Sequence, residues 1–210
     1  MTAAVATIDE LALLDWKREI FALYAGVRAH DDPRAAWKTW RRTRDRLFSD
    51  HPQSPLVPEQ QAGFGGLAHY AYDPAARVTA AVVPAEPRVF DIETSTGPPY
   101  SFRRFATARF TLAGDDLELP LYWLEGYGGG VFLPFADATS GATTYGAGRY
   151  LLDTVKGADL GSVDGRLVLD FNFAYNPSCA YDPHWTCPLP PAENRLERPI
   201  QAGEMAWGSE

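Results

Sequence analysis

The stretch Phe102-Arg103-Arg104-Phe105-Ala106-Thr107-Ala108-Arg109-Phe110-Thr111-Leu112, with Gly114-Asp115 and Leu117-Glu118-Leu119-Pro120-Leu121-Tyr122-Trp123 after it, carries the main structural signal. Ala106, Ala108, Phe110 and Leu112 fall on one side, and Arg103, Thr107, Arg109 and Thr111 on the other. That is the period of two that a half-buried strand requires. The Gly114-Asp115 turn and a second alternation through Leu117, Leu119, Leu121 and Trp123 make the segment a hairpin. On its N-terminal side Arg77–Val83 and Val89–Ile92 read as two further β-rich runs. On its C-terminal side Val131–Phe135, Gly148–Leu152 and Leu167–Tyr175 do the same. Short strands at this spacing predict an antiparallel β barrel or sandwich over residues 64–175. The Gly126-Tyr127-Gly128-Gly129-Gly130 run has a strand rather than a helix after it, so it reads as a hairpin connection and not as a phosphate cradle.

The first fifty residues have a different period. Leu13, Trp16, Ile20, Leu23, Tyr24 and Val27 form one helical stripe, and Thr7 and Glu10 before it stand at capping-box spacing. Asp32 and Pro33 start a second helix as N-cap and first residue. Its apolar side is Trp37, Trp40, Leu47 and Phe48. Arg41, Arg42, Arg44 and Arg46 lie beside the tryptophans, and the helical reading places the rings in the core and the cations in water. Pro52, Pro55 and Pro58 then end helix formation over His51–Gly63. Residues 176–210 are rich in proline and aromatics and lack periodicity. The expected architecture is α+β: a helical hairpin (1–50) packed on the β-rich core (64–175) and closed by a Pro-rich C-terminal wrap (176–210), all in one domain, 1–210.

Composition narrows the function. With 210 residues, 46% apolar and 22% charged, the chain is long and apolar enough to bury a core. No apolar run approaches the roughly 18 residues of a membrane span, and Met1–Glu10 lacks the basic and apolar regions of a secretory signal. A soluble, cytoplasmic protein is expected. The net charge is −8; residues 1–50 hold nine basic and eight acidic side chains, and the remainder ten and nineteen. A surface of that sign repels phosphate backbones, which argues against a nucleic-acid partner.

Three segments hold candidate chemistry. The hydroxyl- and glycine-rich loop from Phe135 to Tyr150 contains Ser140, Tyr145 and Arg149; if the following strand extends through them, Tyr145, Arg149 and Asp153 share one face. Arg149 is a candidate carboxylate or phosphate clamp, with Asp137, Asp153 and Asp170 as possible internal partners instead. In Leu167–Asn176 strict alternation puts Leu167, Leu169, Phe171 and Phe173 in the core and Asp170, Asn172 and Asn176 on the opposite face. A partly buried Asp170 would have a raised pKa suited to proton transfer. Glu193, presented after Pro188, Pro190 and Pro191, is a second acid/base candidate, as is Glu204, and an ion pair of Glu193 with Arg195 or Arg149 is the competing reading. Cys179, His184 and Cys187 form a C-x4-H-x2-C cluster with too few ligands at the wrong spacing for a standard zinc site. No third group to orient a Cys179–His184 pair is identifiable.

The wording Tyr175-Asn176-Pro177-Ser178-Cys179-Ala180-Tyr181, Cys187-Pro188-Leu189-Pro190-Pro191-Ala192-Glu193-Asn194 and Ala202-Gly203-Glu204 resembles the uncharacterised bacterial and archaeal domain-of-unknown-function family 1684. Leu133-Pro134-Phe135, Thr139-Ser140-Gly141, Thr144-Tyr145-Gly146 and Gly148-Arg149-Tyr150 fit the same pattern, as do Ser54-Pro55-Leu56 and Phe64. The resemblance implies a stand-alone domain and no particular activity, and His184 lies outside its pattern. The leading expectation is a small-molecule site, used by an enzyme acting on a small polar or anionic metabolite without a tightly bound organic cofactor or metal. Asp170 or Glu193 would move a proton, Arg149 would orient the substrate, and Tyr145, Asn172, Asn176 and Ser140 would bind it. A non-catalytic ligand-binding module and a zinc protein built on the Cys/His loop are the alternatives.

Overall fold

The computed structural model describes residues 9–208. Helix α1 spans Asp9–Ala29 and α2 spans Pro33–Asp50. The Asp32 side chain accepts from the backbone N–H groups of Arg34 and Ala35, satisfying donors that the first helical turn leaves open. The Thr7–Glu10 capping box falls partly outside the described residues. Ile20, Leu23 and Tyr24 are buried as the stripe predicts, but Leu13 is exposed and Ala12 takes its place. The segment expected to lack helix contains one short helix, α3 (Pro58–Ala62), with proline at its start, where a missing N–H costs nothing.

Seven strands follow: β1 (Arg77–Ile92), β2 (Tyr100–Leu112), β3 (Asp115–Leu124), β4 (Val131–Phe135), β5 (Arg149–Asp153), β6 (Ser162–Val163) and β7 (Arg166–Asp170). They form one antiparallel sheet in the order β5-β4-β3-β2-β1-β7-β6, curled into a half-barrel under the helices. The two runs expected at Arg77–Val83 and Val89–Ile92 are one strand. Its prolines sit at a register shift between Pro84 and Arg88, where ladder hydrogen bonds are interrupted anyway. A second shift, between Arg104 and Ala106, reverses the faces of β2. Phe102 therefore joins Ile92, Tyr122, Phe132 and Tyr150 in a separate aromatic cluster, while Ala106, Ala108 and Phe110 stay in the main core. Tyr122 is buried in that second cluster while Trp123, on the other face of β3, is half-exposed, against the simple alternation.

Trp37, Trp40 and Leu47 of α2 pack into the main core with Leu119, Leu121, Phe135, Phe171 and Phe173. The Trp40 and Phe173 rings lie 5.2 Å apart, edge to face. Arg44 does not face water. It is buried, donates to Glu204 Oε2 at 2.8 Å, and stacks over Trp40, Phe48 and Tyr175. A single bridge between Tyr150 and Tyr175 ties the β5 edge to the chain leaving β7. The C-terminal segment wraps as expected, attached by isolated bridges at Thr94–Pro188, Ala136–Arg195 and His69–Glu204. Among the described residues no helix is long and apolar enough to cross a membrane.

Candidate functional site

Strand β7 stops at Asp170, which corrects the expected strand through Tyr175. Asp170 Oδ1 accepts from the Asn172 backbone N–H at 3.1 Å and from Asn172 Nδ2 at 2.8 Å, turning Phe171–Phe173 into a 3-10 turn. This local side-chain cap outcompetes the ladder. Asp170, Asn172 and Asn176 consequently do not line one strand face. Asn172 is fully engaged: its amide bonds both backbone groups of Asp73, and its carbonyl accepts from Trp37 Nε1. It holds Asp170 in place.

The other oxygen, Asp170 Oδ2, has no hydrogen-bond partner although the residue is 1% exposed. Its nearest cation is Arg77 Nη1 at 3.9 Å, because Arg77 is the register partner of Asp170 across the β1–β7 pair. Burial pushes the Asp170 carboxyl up to about 6, against the lowering effects of Asn172 and Arg77. Asp170 lines a cavity of about 190 Å3 together with Arg28, His30, Arg77 and Ser162. Arg28 is partly neutralised by Asp159, at 3.5 Å. His30 Nδ1 accepts from the Asp32 N–H, which leaves the proton of the neutral ring on Nε2.

The remaining candidates lie elsewhere. Arg149 is completely buried and donates to Asp137 Oδ2 at 2.9 Å and to the carbonyls of Ile200, Ala202 and Glu204. It clamps the C-terminal wrap to the β4–β5 loop. Ser140 Oγ accepts from the Asp137 N–H in the same loop. Tyr145 precedes β5 instead of extending it, so it does not align with Arg149 and Asp153; its hydroxyl lies 3.7 Å from Cys179 Sγ. Glu193 is at the surface, bonded to Arg104 at 3.0 Å and to the Tyr122 hydroxyl.

Asn176 faces a second, smaller cavity of about 80 Å3, shared with Tyr24, Arg44, Tyr175 and Tyr181. Glu204, completely buried, accepts from three of these residues, Arg44, Tyr181 and Asn176, and burial raises its pKa. His184 is turned to solvent and bonds Asp182 at 2.7 Å, away from the thiols. Among the described residues no three His, Cys, Asp or Glu side chains are grouped to hold a metal.

Sequence reasoning missed Arg77, His30 and Arg28, whose approach to Asp170 depends on strand pairing and helix docking. Arg44 had a visible signal: it lies four residues after Trp40 and three before Leu47, on the buried stripe.

Residues 62–205 match the family described as a protein of unknown function (DUF1684). An uncharacterised protein of Haloarcula marismortui, solved in solution by NMR, is 37% identical; the match covers 86% of this chain and 100% of that one, with a TM-score of 0.62. No match is found among curated proteins.

Proposed function

The chain belongs to the DUF1684 family, and we propose that it binds a small anionic metabolite over Asp170, with Asp170 taking up or releasing a proton. One observation carries this reading: a buried carboxyl oxygen without a partner belongs to a residue that lines a cavity together with Arg28, His30 and Arg77. A buried polar atom left unsatisfied costs about 1–3 kcal/mol, and a ligand donor placed at Oδ2 would remove that cost. The Arg28 and Arg77 guanidinium groups would hold an anionic group, Arg77 through its planar fork. A carboxyl poised at about 6 is largely ionised at neutral pH and still close enough to exchange protons, the range in which general base catalysis is efficient. In this reading Asn172 positions Asp170 and does not touch the ligand. A cytoplasmic location belongs to the same proposal, supported by two buried cysteines that remain unbridged.

The test is calorimetric titration with inorganic phosphate and with small hydroxy- and keto-carboxylates, at pH values either side of 6. The reading expects at least one of these anions to bind wild type with an affinity that changes through pH 6, and Asp170→Asn to remove the pH dependence. If none of these anions binds, or if Asp170→Asn binds with an unchanged pH profile, the assignment is wrong. Recovery of the bound compound chemically unchanged after long incubation would select the non-catalytic binding module over the enzyme.

A further inference from the structure

Away from the Asp170 cavity, two thiols are brought together on fixed backbone. Cys179 lies in the 3-10 turn Ser178–Ala180. Cys187 lies in an extended segment anchored to residues 93–95: its carbonyl accepts from the Ser95 N–H at 3.0 Å, its N–H donates to Ser95 Oγ at 3.1 Å, and the Leu189 N–H donates to the Glu93 carbonyl at 2.9 Å. The Cys179 N–H donates to Cys187 Sγ at 3.4 Å, so the second sulfur sits against the backbone of the first. The Tyr145 hydroxyl stands 3.7 Å from Cys179 Sγ. Both cysteines are free; Cys179 keeps 9% of its surface exposed and Cys187 2%.

We infer that Cys179 and Cys187 form a reversible dithiol–disulfide site oxidised by a hydroperoxide, with Cys179 attacking and Cys187 resolving. Hydrogen bonds from Cys187 and Tyr145 bring the Cys179 thiol down to about 6, and the same pairing pushes Cys187 upward, so the shared proton rests on Cys187. No imidazole is needed, which suits the outward-turned His184. In the first step the Cys179 thiolate attacks one peroxide oxygen. The S–O bond forms, the O–O bond breaks, and the departing oxygen takes a proton from solvent to leave as water or alcohol. In the second step Cys187 sulfur attacks Cys179 Sγ; the S–S bond forms, the S–O bond breaks, and the Cys187 proton leaves with the hydroxyl as water. Two thiols are oxidised and one hydroperoxide is reduced.

The experiment treats the intact reduced protein with stepwise equivalents of hydrogen peroxide, alkylates the remaining thiols after denaturation, and maps peptides by mass. The expected result is that both thiols disappear together with the first equivalent, that a peptide cross-linked between Cys179 and Cys187 appears with the loss of two hydrogens, and that dithiothreitol reverses it. Cys187→Ser should trap a sulfenic acid on Cys179, captured by dimedone. Retention of both free thiols under excess peroxide, or overoxidation of Cys179 without a cross-link, would overturn the inference on the wild-type protein alone, whether or not the variant folds.

Discussion

Asp170 and Arg149 are both buried ionisable side chains, and their hydrogen-bond inventories separate their roles. Arg149 donates to a carboxylate and three carbonyls and leaves only Nε without a partner, whereas Asp170 has one satisfied oxygen and one with no partner, in a residue that lines a cavity. The difference has a measurable consequence for stability. The Asp170 carboxyl titrates at about 6 in the folded state against an ordinary 3.8. Its folded-state pKa is raised, so it imposes no penalty below about pH 4, where it is protonated in both states. A cost of about 3 kcal/mol builds as pH rises through 6 and is constant above. Asp170→Asn retains an oxygen for the two Asn172 donors and removes the charge. We expect the variant to be more stable than wild type at pH 7.5 by about 1–3 kcal/mol, and the advantage to vanish near pH 4. Urea unfolding at both pH values reads this directly, and a pH-independent difference would contradict it. Sequence reading found Asp170 as an ionisable group on a strand because residue type and alternation are local. It could not distinguish the half-partnered Asp170 from the heavily bonded Arg149, because the Ile200, Ala202 and Glu204 carbonyls come from about fifty residues away.

The elements were legible wherever their signals were local. The Asp32–Pro33 cap, the β2–β3 hairpin and its turn all stand where propensity and period place them. Misreadings occurred where two local preferences competed. Leu167–Tyr175 keeps strand alternation to its end, yet the Asp170 cap bends it after β7; Pro84 and Pro87 look like strand breakers, yet they lie in and around a bulge. The C-terminal wrap has no period because its conformation is set by what it crosses, and Gly203 shows how tightly. Its φ is +80°, and a Cβ there would stand 2.7 Å from the carbonyl oxygens of both Ala174 and Phe171. Gly114, in the β2–β3 turn, has φ +88° with nothing within 4 Å. Gly114→Ala therefore incurs only left-handed backbone strain, about 1–2 kcal/mol. Gly203→Ala adds a collision with fixed backbone and should lose about 3 kcal/mol or more. Chemical denaturation of the two variants compares them, and equal losses would mean that the wrap yields and does not hold the turn beneath it.

The α+β class was readable because a helical period gives way to a period of two at one place in the chain. The closure of the molecule was not, since it depends on pairings between distant segments. Those pairings tie the helical hairpin to the sheet, even though the family match begins at residue 62, after both long helices. Trp37 donates to the Asn172 carbonyl, Trp40 stacks on Phe173, and Arg44 neutralises the buried Glu204 of the wrap. Removing residues before 62 would strip the apolar cover from the 3-10 turn that positions Asp170. It would also leave Glu204 without its cation, a loss that for a buried pair amounts to about 3–5 kcal/mol by itself. A natural domain has only about 5–15 kcal/mol to lose, so the two effects together exceed what the remainder can sustain. A chain of residues 62–210 should fail to show a cooperative urea transition and should bind a hydrophobic dye, while the full chain unfolds in one step. If the shortened chain instead unfolds cooperatively with dispersed NMR signals, the half-barrel is a folding unit on its own. The hairpin would then be an appendage, and the Asp170 cavity, walled by Arg28 and His30 from that hairpin, would be a feature of the interface between them.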